Sequence, residues 1–507
     1  MAESFELNPG QLNLQDIYFL LNTRAKITLS PSCLQPIESS NKTVKKIIAD
    51  EKTVYGINTG FGSLAYQRIS SEKLYQLQRN IVLSHACGCG ELLDDDIVAL
   101  ILLLKINALA CGYSGVRKEL IEALLSLYNQ QIYPCIPAMG SVGASGDLAP
   151  LAHLSLPLIG EGEVRFEGEI LLSKDDKIRE RIPVLALGPK EGLALLNGLQ
   201  VSTSLCLKAL FDTDLLFKTA LIAGSLSVDA ARGSDSPFDD RIHLIRGHET
   251  QRLVASLYRL FLSGSQIRES HRLCNRVQDP YSLRCQPQIM GAILHQIQFV
   301  AQTLQIEANA VTDNPLVFAA EGDILSGGNF HGEIIAMAAD NLALAIAEIG
   351  ANAERRIALL IDHHFSGLPA FLVKDCGLNS GFMIAHVTAA ACASDNKALA
   401  HPHSVDSLPT SANQEDHVSM ATNAARRLNN MISNTATILA IELLAACQGL
   451  EFHAPLQTSP LLKEVYEKVR IHVSAFEQDR YFAPDIAITK EKVLQGEFKN
   501  YVTENFF

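Results

Sequence analysis

The segment GSVGASGD, residues 140–147, places a serine between an alanine and a glycine in a glycine-rich part of the chain. If the Gly146 nitrogen attacks the Ala144 carbonyl carbon, a five-membered ring closes through Ser145. Loss of one water from the ring, and of a second from the Ser145 hydroxyl, leaves an exocyclic methylene conjugated to a carbonyl. Gly146 suits this ring closure because it lacks a Cβ and tolerates strained backbone. The product would be a strong electrophile made from the chain itself.

The same segment also fits an ordinary turn that leads into a helix. Asp147 or Ser145 would then be the N-cap, with Pro150 in the first helical turn. A phosphate loop is excluded because no Gly-Lys-Ser/Thr follows the glycines. A nucleophile elbow is excluded because Asp147 stands where that motif needs glycine. The local spacing leaves the turn and the ring closure both open.

Eight further segments, in order along the chain, point to one enzyme family. They are VYGINTGFG (54–62), NIVLSHACG (80–88), EGLALLNG (191–198), VQDPYSLRCQPQ (277–288), TDNPL (312–316), SGGNFHGE (326–333), GLNSGFMIA (377–385) and PTSANQEDHVSM (409–420). With GSVGASGDLAPLAH they resemble the aromatic amino-acid ammonia-lyases, and within that family its histidine-specific members. The resemblance implies that Ala144, Ser145 and Gly146 form 4-methylidene-imidazol-5-one (MIO) autocatalytically, with Ala144 linked to Gly146 and Ser145 dehydrated. It implies no metal.

The implied elimination of ammonia assigns a task to several matched residues. Ammonia must leave from Cα while a weakly acidic proton leaves from Cβ, so a base must be held in line. Ser145, as the methylidene group, would bond to the amine. Tyr55 would be the base, which requires positive or hydrogen-bonding groups near its oxygen. Glu415 is a rival for that role, and Asp147 would either move protons during ring closure or cap a helix.

Three matched residues come from the segment VQDPYSLRC. Arg284 would bind the substrate carboxylate through two parallel hydrogen bonds, as guanidinium groups do. Gln278 and Tyr281 resemble active-site positions of the family, and on a helix they would share a face with Arg284. Pro280 makes a regular helix there doubtful. Without the resemblance, this segment would be an ordinary polar loop with a surface arginine.

Two other matched residues would act on the electrophile. Asn197 would donate hydrogen bonds to the ring carbonyl or to the substrate, in the manner of an oxyanion hole. Phe330 would pack against the ring. Taken alone, Asn197-Gly198 is an ordinary turn and Phe330 is an ordinary core residue.

His85 and Glu415 would select the substrate. An imidazole offers one donor and one acceptor, which a histidine and a carboxylate can pair. A phenyl ring would leave both groups unpaired, at a cost of about 1–3 kcal/mol for each buried group. Relatives that act on tyrosine or phenylalanine typically carry leucine in place of this histidine. We therefore expect L-histidine as substrate and trans-urocanate and ammonia as products, the first step of histidine degradation.

Three alternatives remain at the level of sequence. A tyrosine or phenylalanine ammonia-lyase would use the same electrophile, an aminomutase would return the ammonia to Cβ, and an inactive helical scaffold would bind partners. The intact Ala144-Ser145-Gly146 and Tyr55 argue against the scaffold. Two positions depart from the family pattern, because His386 replaces the usual glutamine and Leu199 replaces the usual threonine.

Long helical patterns must position these residues. Residues 289–311, 331–360 and 433–452 carry apolar residues at helical spacing, and several of their faces are apolar. The prediction is an all-α fold with a long-helix bundle of the aspartase/ammonia-lyase type. We expect an N-terminal domain over 1–200, mixed but mainly helical with a small hairpin around Gly168, and a bundle domain over 201–507. The resemblance implies a homotetramer with active sites built from several subunits.

The composition narrows the class of protein. A net charge of −13 argues against a nucleic-acid partner, which requires a basic face. The N-terminus has no secretory pattern, and the longest apolar run, 97–104, is too short to span a membrane. The 11 cysteines, including Cys87, Cys89 and Cys274, form no zinc-type pair, and HPH at 401–403 is a weak metal signal. We therefore expect a cytoplasmic enzyme with reduced thiols.

Overall fold

Helices make up most of the protein, as expected from the sequence. A computed structural model describes residues 4–272 and 277–507. Its α-helices are α1 Leu14–Thr23, α2 Leu34–Ala49, α3 Leu74–His85, α4 Asp95–Ala110, α5 Lys118–Asn129, α6 Leu148–Ser155, α7 Asp176–Arg179, α8 Glu191–Leu196, α9 Gln200–Ala230, α10 Asp240–Arg246, α11 Glu249–Leu262, α12 Gln266–Glu269, α13 Tyr281–Arg284, α14 Gln286–Ala308, α15 Glu333–Ile361, α16 His363–Ser366, α17 Met383–Leu399, α18 Ala421–Arg426, α19 Leu428–Glu451, α20 Pro460–His472 and α21 Ala483–Leu494. The prediction of a mainly helical fold with long helices is confirmed.

The sheets in the described ranges are small. The strands are β1 Ser4–Leu7, β2 Lys26–Leu29, β3 Cys89–Leu92, β4 Tyr133–Pro134, β5 Pro137–Met139, β6 Glu163–Phe166, β7 Glu169–Leu172, β8 Leu316–Phe318 and β9 Asp323–Leu325. β1 pairs with β2 in parallel, whereas β3–β5, β4–β6–β7 and β8–β9 are antiparallel. The predicted hairpin is confirmed, because β6 and β7 flank Gly168, which has a φ of +82°.

The three long helices predicted from periodicity are present as α14, α15 and α19. Their ends differ from the prediction by a few residues. Helix α14 stops at Ala308 rather than 311 because the next residue, Asn309, turns its side chain to Leu12. Its Oδ1 accepts the Leu12 N–H at 2.8 Å and its Nδ2 donates to the Leu12 carbonyl at 2.7 Å. These contacts between residues far apart in the chain could not be seen in a local pattern.

The chain divides into two compact units that are each discontinuous in sequence. The first unit comprises Met1–Lys208, Ala301–Asp340 and Pro402–Arg426. The second comprises Ala209–Val300, Asn341–His401 and Arg427–Phe507. The predicted domain boundary near residue 200 is a single cut, so it assigns 301–340 and 402–426 to the bundle domain. The compact units place those two segments with the N-terminal residues instead.

Each unit has a helix that is buried on almost all sides. In the first unit every residue of α4 from Ile97 to Ala110 is buried, so the apolar run is a core helix. In the second unit α19 is buried without interruption from Ile438 to Leu450. The carboxylate of Glu442 on α19 is neutralised inside the unit by Arg356, whose Nη2 lies 2.8 Å from Oε2. Such a buried charge needs a partner of this kind.

Two helical stretches, Glu333–Ile361 and Ala421–Glu451, are long and apolar enough to cross a membrane. Their most apolar windows are 61% and 78% buried within the protein, which is typical of core helices. The ten cysteines in the described residues are all free thiols. Cys274 lies outside the described residues.

Candidate active site

A cavity of about 1170 Å³ lies in the first unit, and it collects most of the predicted site residues. Those that line it are Tyr55, His85, Ala144, Ser145, Asn197, Phe330 and Glu415. They come from segments up to 360 residues apart, from Tyr55 to Glu415. The fold therefore assembles in one place what the sequence presented as separate motifs.

The loop that carries Ser145 is held by close packing of glycine backbone. Gly146 has a φ of +77°, and a Cβ there would lie 2.3 Å from the Gly198 carbonyl oxygen. The two glycines form a parallel β-bridge, and the Asp147 N–H donates to the Gly198 carbonyl at 2.8 Å. A side chain at Gly146 would push the two segments apart, and one at Gly198 would clash with Gln200 Oε1, 2.5 Å from its Cβ. This packing explains why the motif requires glycine at its third position.

Asp147 stands at the N-cap position of the helix that follows it, as one interpretation of the sequence predicted, but its side chain binds a different helix. Helix α6 begins directly after it, with Pro150 in the first turn, but the Asp147 side chain makes no capping bond to α6. Its Oδ2 instead accepts the N–H groups of Val201 (3.0 Å) and Ser202 (2.8 Å) at the start of α9. The Oδ1 accepts the Thr422 hydroxyl at 2.6 Å. Burial raises the pKa of Asp147, and these hydrogen bonds oppose that shift.

Asn197, directly after α8, contacts the centre of the Ala-Ser-Gly segment. Its Nδ2 donates to the Ser145 carbonyl oxygen at 3.0 Å. Ring closure between residues 144 and 146 would retain this carbonyl, so the amide would then face the carbonyl oxygen of the ring. The Asn197 Oδ1 is buried and has no hydrogen-bond partner among the described residues. An unpaired buried acceptor of this kind is uncommon in folded proteins.

Glu415 lies on the other side of Ser145. The Ser145 hydroxyl donates to Glu415 Oε1 at 2.9 Å, and the Thr410 hydroxyl donates to Oε2 at 2.7 Å. Residues 411–413 between them all have positive φ values of 49° to 66°. Three consecutive non-glycine residues in this region are rare, and such strain clusters at functional sites. The turn directs the carboxylate at the serine.

His85 is the last residue of α3 and points a neutral imidazole at the cavity. Its Nδ1 lies 3.0 Å from the Ser84 hydroxyl. Burial lowers the pKa of His85, although the negative charge of Glu415 acts in the opposite direction. The His85 and Glu415 side chains thus influence each other within one cavity.

Tyr55 and Phe330 complete the lining predicted from the sequence. The Gly62 N–H donates to the Tyr55 hydroxyl oxygen at 3.3 Å. The loop after Tyr55 is fixed by Gly56, where a Cβ would lie 2.6 Å from Leu193 Cδ2. Phe330 is partly buried at the cavity wall.

Gln278, Tyr281 and Arg284 do not line this cavity. They belong to the second unit, where α13 spans only Tyr281–Arg284 after Pro280. The doubt about a regular helix was justified, since Gln278 lies outside that single turn. The Arg284 Nε donates to the Asp279 carbonyl at 2.9 Å, and its guanidinium lies 4.6 Å from the centre of the Tyr281 ring. Tyr281 is 69% exposed.

His331 and His417 also line the cavity, and the sequence reasoning did not select them. Their rings are perpendicular with centroids 5.7 Å apart, and His331 Nε2 lies 3.2 Å from the His417 carbonyl oxygen. Both lie inside the matched segments SGGNFHGE and PTSANQEDHVSM. Their place beside Phe330 and Glu415 was the signal that could have identified them.

The two departures from the family pattern have different surroundings. Leu199 lies in the first unit, where its Cδ2 would be 3.0 Å from a Cβ at Gly332. His386 lies in the second unit on α17, with Nε2 2.7 Å from Glu354 Oε1. Burial alone would raise the pKa of Glu354, but hydrogen bonds from His386 and Arg355 lower it to about 2. Neither departure lines the cavity.

Comparison with known proteins decides the family. The family model for aromatic amino acid lyases matches residues 12–471. The chain belongs to the aromatic amino acid lyase family.

Within residues 4–272 and 277–507, no three histidine, cysteine, aspartate or glutamate side chains are grouped so that they could hold a metal ion.

Relatives within the family include lyases and mutases. The chain is 71% identical, over 498 residues, to the histidine ammonia-lyase of Legionella pneumophila subsp. pneumophila, with 98% of each chain covered. The crystal structure of histidine ammonia-lyase from Trypanosoma cruzi has a TM-score of 0.91 at 38% identity, covering 99% of this chain and 95% of that one. Tyrosine aminomutase from Streptomyces globisporus has a TM-score of 0.92 at 34% identity, covering 99% and 98%. The fold is thus shared by lyases and mutases.

Proposed function

We propose that this enzyme is a histidine ammonia-lyase, which converts L-histidine to trans-urocanate and ammonia without oxidation or hydrolysis. The observation that carries the proposal is the position of His85 and Glu415 in the cavity that also contains Ser145. A donor–acceptor pair of this kind suits an imidazole and not a phenyl ring. The high identity to a histidine ammonia-lyase over nearly the whole chain supports the same substrate.

The Ala-Ser-Gly segment fits the MIO group of this family. Gly146 occupies a position where a Cβ is excluded. The Ser145 hydroxyl donates a hydrogen bond to the Glu415 carboxylate, and the Ser145 carbonyl oxygen accepts one from the Asn197 amide. When formed, MIO supplies an electrophile that bonds to the substrate amine and makes ammonia a better leaving group. Asn197 would stabilise negative charge on the ring oxygen.

The other cavity residues would orient the substrate and move its proton. Glu415 loses its contact with the Ser145 hydroxyl once that hydroxyl leaves as water, so the carboxylate becomes available to the substrate imidazole. His85 lines the same cavity and would present a neutral imidazole ring to the substrate, because burial lowers the pKa of His85. Tyr55, with the Gly62 N–H on its oxygen, would take the β-proton. Phe330 would pack against the reacting groups.

The residues for the substrate carboxylate would come from another copy of the chain. Arg284, Tyr281 and Gln278 are absent from the lining of the cavity, so we propose a homotetramer in which a second subunit supplies them. A cytoplasmic location fits a metabolic enzyme of this kind. A fully active monomer in solution would contradict the composite site.

The function is tested by incubating the purified protein with L-histidine, L-phenylalanine and L-tyrosine in parallel. We expect urocanate, followed by its ultraviolet absorbance, from histidine, and rates at least ~10²-fold lower from the other two. Chromatography of the products separates urocanate from a β-amino acid. A β-amino acid would indicate an aminomutase, and no product would support an inactive scaffold.

Replacing His85 by leucine should weaken the preference for histidine. We expect the ratio of kcat/KM for histidine to that for phenylalanine to fall by about 10–100-fold, since one buried pairing with the imidazole is lost. The matched control is Cys87→Ser, an exposed change two residues further on that does not line the cavity, and it should leave the ratio unchanged. An unaltered ratio in His85→Leu would remove His85 from the specificity assignment.

A further inference from the structure

Lys105 is a fully buried lysine for which the proposed mechanism has no use. It interrupts the apolar run of α4 and is 1% exposed. Its Nζ donates to two main-chain carbonyl oxygens, that of Asn197 at 2.8 Å and that of Ala194 at 3.2 Å. Placing an ammonium group in a protein core is costly. An apolar residue would fill this position at lower cost unless the amine has a specific task.

The two carbonyls identify that task. They belong to the end of α8, where the last carbonyls of a helix lack intrahelical partners. A cationic side chain at a helix C-terminus satisfies them and interacts favourably with the helix dipole. Lys105 thus closes the end of α8 from within the core and fixes the main chain at Asn197.

The main chain held in this way touches the reacting segment twice. The Asn197 amide donates to the Ser145 carbonyl at 3.0 Å. The next residue, Gly198, packs against Gly146 and accepts the Asp147 N–H at 2.8 Å. A shift of the main chain at Asn197 would therefore move both contacts.

We propose that Lys105 is a positioning residue for the reaction, holding Asn197 so that its amide stays on the Ser145 carbonyl oxygen. The inference rests on the proposed function, in which this carbonyl becomes the ring carbonyl. Lys105 does not touch the cavity and acts only through Asn197.

The electrostatic surroundings agree with a role that depends on hydrogen bonds more than on charge. Burial lowers the pKa of Lys105 to about 7; Asp313 and Asp147 oppose this shift and Lys190 adds to it. Asp313 is already paired with Lys190 at 2.5 Å, and Asp147 is bound to the start of α9. A neutral amine keeps two N–H donors, so both carbonyls remain bound in either protonation state.

A double-mutant cycle tests the proposal with the full-length protein. The variants are Lys105→Met, Asn197→Ala and the two combined, and kcat and KM for L-histidine are measured for each. We expect Lys105→Met to lower kcat by about 10–100-fold with little change in KM. In the Asn197→Ala background the same change should lower kcat less than about 3-fold, because residues that act through one another are not additive. Equal factors in both backgrounds would overturn the proposal.

The matched control is Lys190→Met, which removes the other fully buried lysine of the first unit. Lys190 pairs with Asp313 and makes no contact with the Asn197 carbonyl. We expect the factor by which Lys190→Met lowers kcat to be the same in the parent and in the Asn197→Ala background. A general loss of stability gives this result, whereas a loss of positioning through Asn197 does not. If Lys105→Met does not fold by circular dichroism, Lys105→Arg replaces it, since it keeps donors but misplaces them.

The proposed function and the role of Lys105 fail separately. Urocanate from the parent protein supports the function whatever the cycle shows. If the parent makes no urocanate, the double-mutant cycle uses a different measurement. Intact mass then gives the fraction of each variant that has lost two waters. A Lys105→Met protein that dehydrates as completely as the parent would then contradict the positioning role.

Discussion

Ser145→Ala is expected to lower kcat for L-histidine by at least ~10³-fold while leaving the fold intact. The hydroxyl is the group that must leave to create the methylene, and alanine has nothing to lose. In the structure that hydroxyl contacts Glu415 Oε1 at 2.9 Å in a partly open cavity, and the proposed dehydration already removes this contact from the parent. The stability cost should therefore be small, about 1 kcal/mol.

Two measurements separate chemistry from folding in this variant. Intact mass should show the parent lighter than its sequence by two waters and Ser145→Ala without the loss of the hydroxyl. Thermal unfolding should be nearly unchanged. Ser326→Ala is the matched control, since Ser326 also lines the cavity and its hydroxyl accepts only the Asn314 amide at 3.2 Å among the contacts described. It should retain most of the activity. Full activity in Ser145→Ala would leave histidine as the substrate but exclude the self-made electrophile.

Tyr55→Phe is expected to lower kcat by about 10²–10⁴-fold, the usual contribution of a general base, with KM for histidine nearly unchanged. The phenolic oxygen accepts the Gly62 N–H at 3.3 Å, and phenylalanine preserves the packing of the ring while removing that oxygen. Histidine deuterated at Cβ should show a larger isotope effect on kcat in the variant than in the parent, because the proton transfer becomes slower relative to other steps.

Glu415→Gln is the comparison that separates the two candidate bases. If Glu415 binds the imidazole, the loss of its charge should raise KM more than it lowers kcat, and the isotope effect should stay at the parent's value. The reverse result, with a large isotope effect in Glu415→Gln and a normal one in Tyr55→Phe, would make Glu415 the base. Both side chains line the same cavity, so their positions alone do not distinguish the two roles.

The elements that the sequence predicted correctly are those that depend on local patterns. The helical periodicity of 289–311 and 331–360 predicted α14 and α15, and the alternation around Gly168 predicted the β6–β7 hairpin. Such signals lie within one element, where the spacing of apolar residues decides the structure. The grouping of Tyr55, Ser145 and Glu415 required the family resemblance, because no local pattern relates residues so far apart.

What the sequence did not predict depends on contacts between distant segments. Asp147 does stand at the start of the helix that follows it, one of the two roles that the sequence left open, but its carboxylate binds α9, which begins more than 50 residues later. In the sequence, Lys105 is marked only by its place directly after the apolar run 97–104. Its partners, the Ala194 and Asn197 carbonyls, are 89 and 92 positions away. When tertiary packing determines the partners of a side chain, the sequence around that residue does not reveal them.

The packing of Gly146 against Gly198 has a consequence for how the enzyme is made. We expect the proposed ring closure to depend on the packing of Gly146 against Gly198, which exists only in the folded first unit, so a chain that has never folded would stay chemically unmodified. Dehydration of Ser145 would then serve as a permanent record of folding history. Molecules that later unfold would still carry it, and the mass of a denatured sample would report the fraction of chains that had once reached the native state.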